Sequence, residues 1–149
     1  MIGPIRSVPG MSPSATNRSG GPLPKHRVVA LMAPAMPGEL AVGPLSPASL
    51  RQGFGVTQED CLEGRAVAVH RAGALLVEAE GSAVINGGRL VYAVPNADRM
   101  LAGRVAEFPA VPAAGEYLVV GHARVNVAAA AGAIVPVEAC TPYLVRVPA

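Results

Sequence analysis

Aromatic residues make up only 3% of this 149-residue sequence: two phenylalanines, three tyrosines and no tryptophan. Hydrophobic residues nevertheless reach 51%, so the interior must be built from valine, alanine and leucine. Such side chains bury little area each. At roughly 25 cal/mol per Å² they give a modestly stable monomer, to which association with another surface is attractive. The shortage of aromatics also argues against a nucleic-acid platform, which stacks bases on aromatic rings inside a basic patch. A net charge of +2 is too small to imply phosphate binding. Lys25 is the only lysine. That removes the swinging-arm carrier domain, a small β-barrel that needs a lysine on an exposed hairpin.

Catalytic and metal chemistry are equally thin. The aspartates are Asp60 and Asp98, and the histidines are His26, His70 and His122. None of them accompanies a Gly-x-Ser-x-Gly elbow. No P-loop and no dinucleotide glycine fingerprint occurs. His and Cys residues lack zinc-ligand spacing. We therefore expect no enzyme, no cofactor and no metal. Cys61 and Cys140 have no C-x-x-C partner and read as buried free thiols, with a single disulfide as the alternative. No apolar run approaches the ~18 residues of a membrane span; Gly132 and Pro136 break Val127–Val137. Pro4, Pro9, Pro13, Arg18 and Pro22 interrupt the start of the chain, so we expect no secretory leader.

Proline, by contrast, is plentiful and unevenly placed: nine of 15 lie before residue 50, which favours extended over helical chain there. Residues 1–27 read as an extended Pro/Gly-rich N-terminal arm, too poor in apolar area to offset its own ordering entropy. It carries spaced apolar anchors at Ile2, Ile5, Val8 and Met11, and basic Arg6, Arg18, Lys25 and Arg27 with no acidic residue before Glu39. A basic arm with such anchors suits docking onto another protein; a solvated tail is the plainer alternative.

Residues 28–149 read as one β domain, with a Pro-rich lead-in over 28–63 and Val/Ala-rich strands over 64–149. Val28–Ala33 is the first candidate strand. Ser46 or Ser49 can cap a short helix over residues 48–52 that Gly53 ends, and residues 57–62 suggest another helical turn. Strands are then expected over Arg65–His70, Ala74–Glu80, Ala83–Ile85, Arg89–Val94, Ala133–Glu138 and Tyr143–Val147, by period-two alternation. Pro136 places its strand at an edge or a bulge. Glu78 and Glu80 share one face and read as solvated; His122, alternating with outward positions, reads as surface or interface. Frequent turns between short strands indicate a sandwich or barrel.

The stretch Gly103–Val127 is strand, turn and strand with no catalytic group, and it echoes an earlier one. Gly64-Arg65, an alternating run, Ala72-Gly73 and a strand to Gly81 are followed about 40 residues later by Gly103-Arg104, an alternating run, Ala114-Gly115 and a strand to Gly121. Two similar β-units in one barrel would give such an echo.

The runs Val77–Gly81, Gly87–Ala93, Gly103–Ala106 and Ala113–Val120 resemble the capsid decoration (cement) proteins of tailed bacteriophages. There, a Val-rich strand leads to a Gly-x-x-Val-Tyr strand, and an Ala-Ala-Gly-Glu turn to another Val-rich strand. The likeness covers about residues 64–127. It implies a small β-barrel or β-tulip-like sandwich, commonly a homotrimer, on the outer capsid surface of the virion. There it would clamp neighbouring major capsid proteins and stabilise the shell, with no nucleic-acid or membrane partner. The arm residues Ile2, Ile5, Arg6, Val8, Met11 and Arg18 are the expected capsid-facing set. A tail or head-fibre β module, and a small β-barrel ligand-binding or enzyme domain, are the alternatives.

Overall fold

The structure, a computed structural model, describes residues 12–149. Its strands are β1 (Ser14–Asn17), β2 (Val28–Met32), β3 (Ala41–Pro44), β4 (Gly53–Thr57), β5 (Ala66–His70), β6 (Gly73–Glu78), β7 (Leu90–Val94), β8 (Arg104–Glu107), β9 (Gly115–Ala123) and β10 (Ile134–Val147), with one 3-10 helix over Pro47–Gln52. The first five strands close into a barrel in the order β1-β3-β2-β4-β5, and the other five form a sheet in the order β6-β10-β9-β7-β8. The mainly β class expected from the alternation is thus the class observed. It takes the form of a closed barrel stacked on a second sheet.

The run Val28-Val29-Ala30-Leu31 explains how barrel and sheet join. Strands that are apolar on both faces are buried on both faces. Val29 packs into the barrel interior with Ala15, Val42, Val67 and Val69, and Leu31 lies at its margin. Val28 and Ala30 point the other way, into a second core shared with Val77, Val91, Val105 and Val137 of the sheet. The sheet strands face that core on one side only. Hence Leu75 and Val77 are buried while Leu76, between them, is exposed.

Several local expectations change in the structure. Within residues 1–27, Ser14–Asn17 is a barrel strand, parallel to β3 and antiparallel to β5. Its polar composition conceals this because Asn17 is fully buried yet satisfied. The Asn17 amide donates to the Gly21 and Cys61 carbonyls at 2.8 and 3.1 Å, and its oxygen accepts from the Ser19 backbone and hydroxyl. Residues 57–62 form no helical turn; Cys61 instead bridges Leu23 in β fashion. Of Ala83–Ile85 only Ile85 is bridged, to Val127. The two last predicted strands are one strand, β10, with a register shift between Ala139 and Tyr143. Pro136 sits at neither an edge nor the register shift: β10 runs between β6 and β9 there, with Pro136 opposite Leu76, and its carbonyl accepts from Arg124, just past the end of β9. The short helix forms as expected, with Ser46 as its N-cap and Gly53 as its C-cap.

In backbone conformation the echo holds at its first glycine only: Gly64 and Gly103 have φ of +77° and +82°, whereas Gly73 and Gly115 differ (+91° and +147°), as do Gly81 and Gly121 (+96° and +152°). It does not mark two units of one barrel. β5 belongs to the barrel, whereas β6, β8 and β9 belong to the sheet.

Candidate docking surfaces

Besides the shared apolar core and the Val28 N–H to Gly103 carbonyl bond, one arginine ties barrel to sheet. Arg27, whose side chain is 6% exposed, leads into β2 and spans three segments. Its guanidinium donates to Glu78 at the end of β6 (3.2–3.3 Å) and to the carbonyls of Met100 (2.7 Å) and Ala102 (3.4 Å) before β8. Arg104 of β8 approaches the same carboxylate at 3.5 Å. Burial pulls the Arg27 pKa below the usual guanidinium range, and Glu78 opposes that pull. Glu78 is therefore a junction residue rather than a solvated one. Arg99 adds a second tie, donating to the Ser19 hydroxyl and to the Ser19 and Pro22 carbonyls on the barrel side. With both halves fixed, the exposed surfaces keep set positions.

The first such surface is a strand edge. β10 has 14 residues and pairs with β9 as far as Val147. On its other side β6 accompanies it only from Ile134 to Ala139, where Ala139 faces Gly73. Among the described residues no other strand pairs with the second side of Cys140–Val147. Tyr143 and Leu144 on this stretch are exposed large apolar residues. A lone strand edge offers a row of N–H and C=O groups to another chain. Beside it, Glu116 of β9 accepts from Arg51 at 3.1 Å and from Arg146 at 3.0 Å. These hydrogen bonds hold its carboxyl below the usual carboxylate range.

Loop tips make the second surface. Three of the five aromatic residues, Tyr92, Phe108 and Tyr117, form an edge-to-face cluster with ring centroids 5.1–6.4 Å apart. Such pairs add about 0.5–1.5 kcal/mol each beyond area burial. They brace the loop between β8 and β9, whose Ala113 carbonyl accepts from the Tyr117 hydroxyl. At the loop's tip Val111 is 90% exposed, flanked by Pro109 and Pro112. The loop between β2 and β3 has the same character, with exposed Met36 between Pro34 and Pro37. A third apolar feature is a groove of about 270 Å³ lined by Pro22, Leu23, Pro24, Cys61, Leu62 and Met100.

Of the expected capsid-facing residues, Ile2, Ile5, Arg6, Val8 and Met11 lie outside the described residues. Arg18 follows β1 and makes a bidentate pair with Glu39 at 2.6–3.1 Å. The same carboxylate accepts from the Ala35 backbone, so Arg18 helps hold the Met36 loop. His122 is exposed on β9, as its alternation suggested. Both cysteines are free thiols, Cys61 buried and Cys140 partly so. Sequence reasoning missed the edge of β10, because the length mismatch between β10 and β6 is set by pairing between distant segments. It also missed the aromatic brace, whose members are separated by 16 and nine positions.

A mainly β scaffold that exposes apolar residues on a strand edge, on proline-flanked loop tips and in a shallow groove, among other places, suits an assembly module. The chain belongs to the phage cement protein family, whose sequence profile matches residues 10–139. That membership gives it a structural, capsid-stabilising role in a phage particle. No curated protein matches the chain.

Proposed function

We propose that this protein binds the outer surface of the phage capsid as a homotrimer and clamps neighbouring major capsid proteins together. The family match over residues 10–139 carries the reading. The junction of Arg27, Glu78 and Arg104, which helps keep the apolar edge, loop tips and groove in fixed relation, supports it. Such preorganisation lowers the ordering cost of binding, and many weak contacts on one shell add through multivalency. In this reading Ile2, Ile5, Val8 and Met11 are apolar anchors on the capsid and Arg6 is a polar one. Arg18 acts through Glu39 on the Met36 loop.

The test is reconstitution on capsids assembled without the protein. Saturable binding at a fixed copy number, with the shell withstanding higher temperature, is the expected result. Absence of binding to such capsids, or labelling of the tail rather than the shell in electron micrographs, would overturn it. The mass of the protein in solution and on the shell then checks the homotrimer.

A further inference from the structure

Of the four asparagines in the chain, Asn86 alone is followed by glycine. Asn-Gly is a chemically labile pair, one source of the thermolability of asparagine. The glycine nitrogen, unhindered by a side chain, attacks the carbonyl carbon of the asparagine side chain. A bond forms between that nitrogen and Cγ, giving a five-membered imide. The Cγ–Nδ2 bond breaks, and the amide leaves as ammonia with the glycine N–H proton. Water then opens the ring at either carbonyl, leaving aspartate or isoaspartate. Asn86, Gly87 and Gly88 are exposed, so water reaches this turn.

The fold holds both reacting groups. The Gly87 N–H donates to the Asn126 side-chain oxygen at 2.7 Å. The Asn86 side-chain amide donates to Glu107 Oε1 at 2.9 Å, and the Asn86 backbone N–H donates to the same oxygen at 2.8 Å. These two partners come from separate elements. Glu107 ends β8, and Asn126 precedes Val127, whose backbone exchanges hydrogen bonds with Ile85 at 2.8 and 2.9 Å. Ring closure needs both holds broken: the glycine nitrogen must give up the proton it shares with Asn126, and the amide must leave Glu107. Glycine is nonetheless required at position 87. A Cβ there would lie 3.2 Å from the Val125 backbone, closer than ordinary van der Waals contact. The labile pair is thus built into the turn and guarded by its neighbours.

We propose that Asn86-Gly87 is a self-modification site, held shut in the folded protein by Asn126 and Glu107, whose conversion releases the turn. The inference goes beyond capsid binding and does not depend on it. An aspartate at position 86 sets a carboxylate against Glu107 where the amide now donates, and like charges that close repel. An isoaspartate also adds a backbone carbon between positions 86 and 87. That upsets the turn in which the Asn86 carbonyl accepts from the Arg89 N–H at 3.2 Å. Conversion does not reverse, so each chain in which the turn has opened keeps a chemical mark of it.

Peptide mass spectrometry of the full-length protein, kept at mildly alkaline pH either folded or in urea, tests it. Asn86 is expected to convert at least about tenfold more slowly in the folded chain, because two hydrogen bonds, one of them to a charged group, must be lost first. Asn126→Leu removes the acceptor and should speed conversion in the folded protein several-fold. Asn126→Asp keeps an acceptor and should stay as slow as the wild type, whereas general loosening of the loop would speed both variants. Equal rates in folded and unfolded chains, or equal rates in the two Asn126 variants, overturn the proposal. Release of the turn is read separately by thermal unfolding. Glu107→Gln should raise the melting temperature of Asn86→Asp but not that of the wild type. No rise in Asn86→Asp, or an equal rise in both, overturns release by repulsion.

Discussion

Gly103 and Gly64 occupy matching places in the sequence echo and have nearly the same backbone, with φ of +82° and +77°. They differ in what a side chain would meet. A Cβ on Gly64 has nothing within 4 Å, whereas a Cβ on Gly103 would lie 2.1 Å from the Val28 carbonyl oxygen and 2.9 Å from the Val28 nitrogen. Those are backbone atoms of the barrel strand that Gly103 bonds, since its carbonyl accepts from the Val28 N–H at 2.8 Å. Gly64→Ala should therefore cost only the left-handed backbone term, about 1–2 kcal/mol. The reduced entropy of the unfolded chain offsets about 0.4–1 kcal/mol of that. Gly103→Ala carries the same terms plus forced separation of barrel and sheet, about 1–3 kcal/mol by analogy with overpacking. The expected costs are about 1 kcal/mol for Gly64→Ala and about 2–4 kcal/mol for Gly103→Ala. At about 2–4 °C per kcal/mol for a domain of this size, the melting temperatures should fall by about 3 °C and about 6–12 °C. Denaturant and thermal unfolding of the two variants side by side measures this. Equal destabilisation would refute the claim that close backbone contact at Gly103 locks the sheet to the barrel.

Three other perturbations probe the same architecture. Arg27→Ala strands the Met100 and Ala102 carbonyls and leaves Glu78 to Arg104 alone, and should cost about 2–4 kcal/mol in urea unfolding; a loss under about 1 kcal/mol would mean that the junction is held by apolar packing only. The Arg18 hydrogen bonds hold the Glu39 carboxyl below its ordinary range, and those of Arg51 and Arg146 do the same for Glu116. A carboxyl with a depressed folded pKa stabilises fully above its unfolded value and loses that contribution as pH falls through the folded one. The unfolding midpoint should be flat between about pH 7 and pH 5 and decline below about pH 4; Arg18→Ala should decline less steeply there, and an unchanged acid slope would remove Glu39 from the account. Finally, burial pushes the Cys61 and Cys140 thiols up, so both should alkylate slowly at pH 8 in the native protein and rapidly once unfolded. Fast native labelling of Cys61, followed by mass spectrometry, would contradict its packing inside the barrel.

Strands β5, β6 and β7 were legible in the sequence and are buried at alternate positions, and the Ser46–Gly53 caps marked the short helix; β9 departs from alternation, being buried at Leu118, Val119, Val120 and Gly121 in succession. What the sequence could not convey is which face of which strand meets what. Val28-Val29-Ala30-Leu31 reads as one apolar run, and only the closed barrel divides it into residues facing inward and residues facing the sheet. Ser14–Asn17 reads as linker because its polarity is visible locally, whereas the carbonyls of Gly21 and Cys61 that satisfy Asn17 are supplied by the fold. Glu78 reads as solvated for the converse reason, since its partners Arg27 and Arg104 arrive from 51 and 26 positions away.

The candidate docking surfaces follow the same division. Proline-flanked apolar tips such as Val111 are local facts of the sequence, although their exposure is set by the fold. The open edge of β10 is a difference between two strand lengths, 14 residues against six, and no window of sequence contains that difference. It matters more than the tips because of how each binds. An apolar tip gains area without direction, so it tolerates many partners. A strand edge demands a backbone at fixed spacing and orientation, so it selects an extended segment and fixes where that segment lies. A protein that must sit at one orientation on a repeating shell needs the directional contact to set its pose and the apolar contacts to hold it. This chain offers both, on a barrel and a sheet tied together by a shared core, Gly103, Arg27 and Arg99.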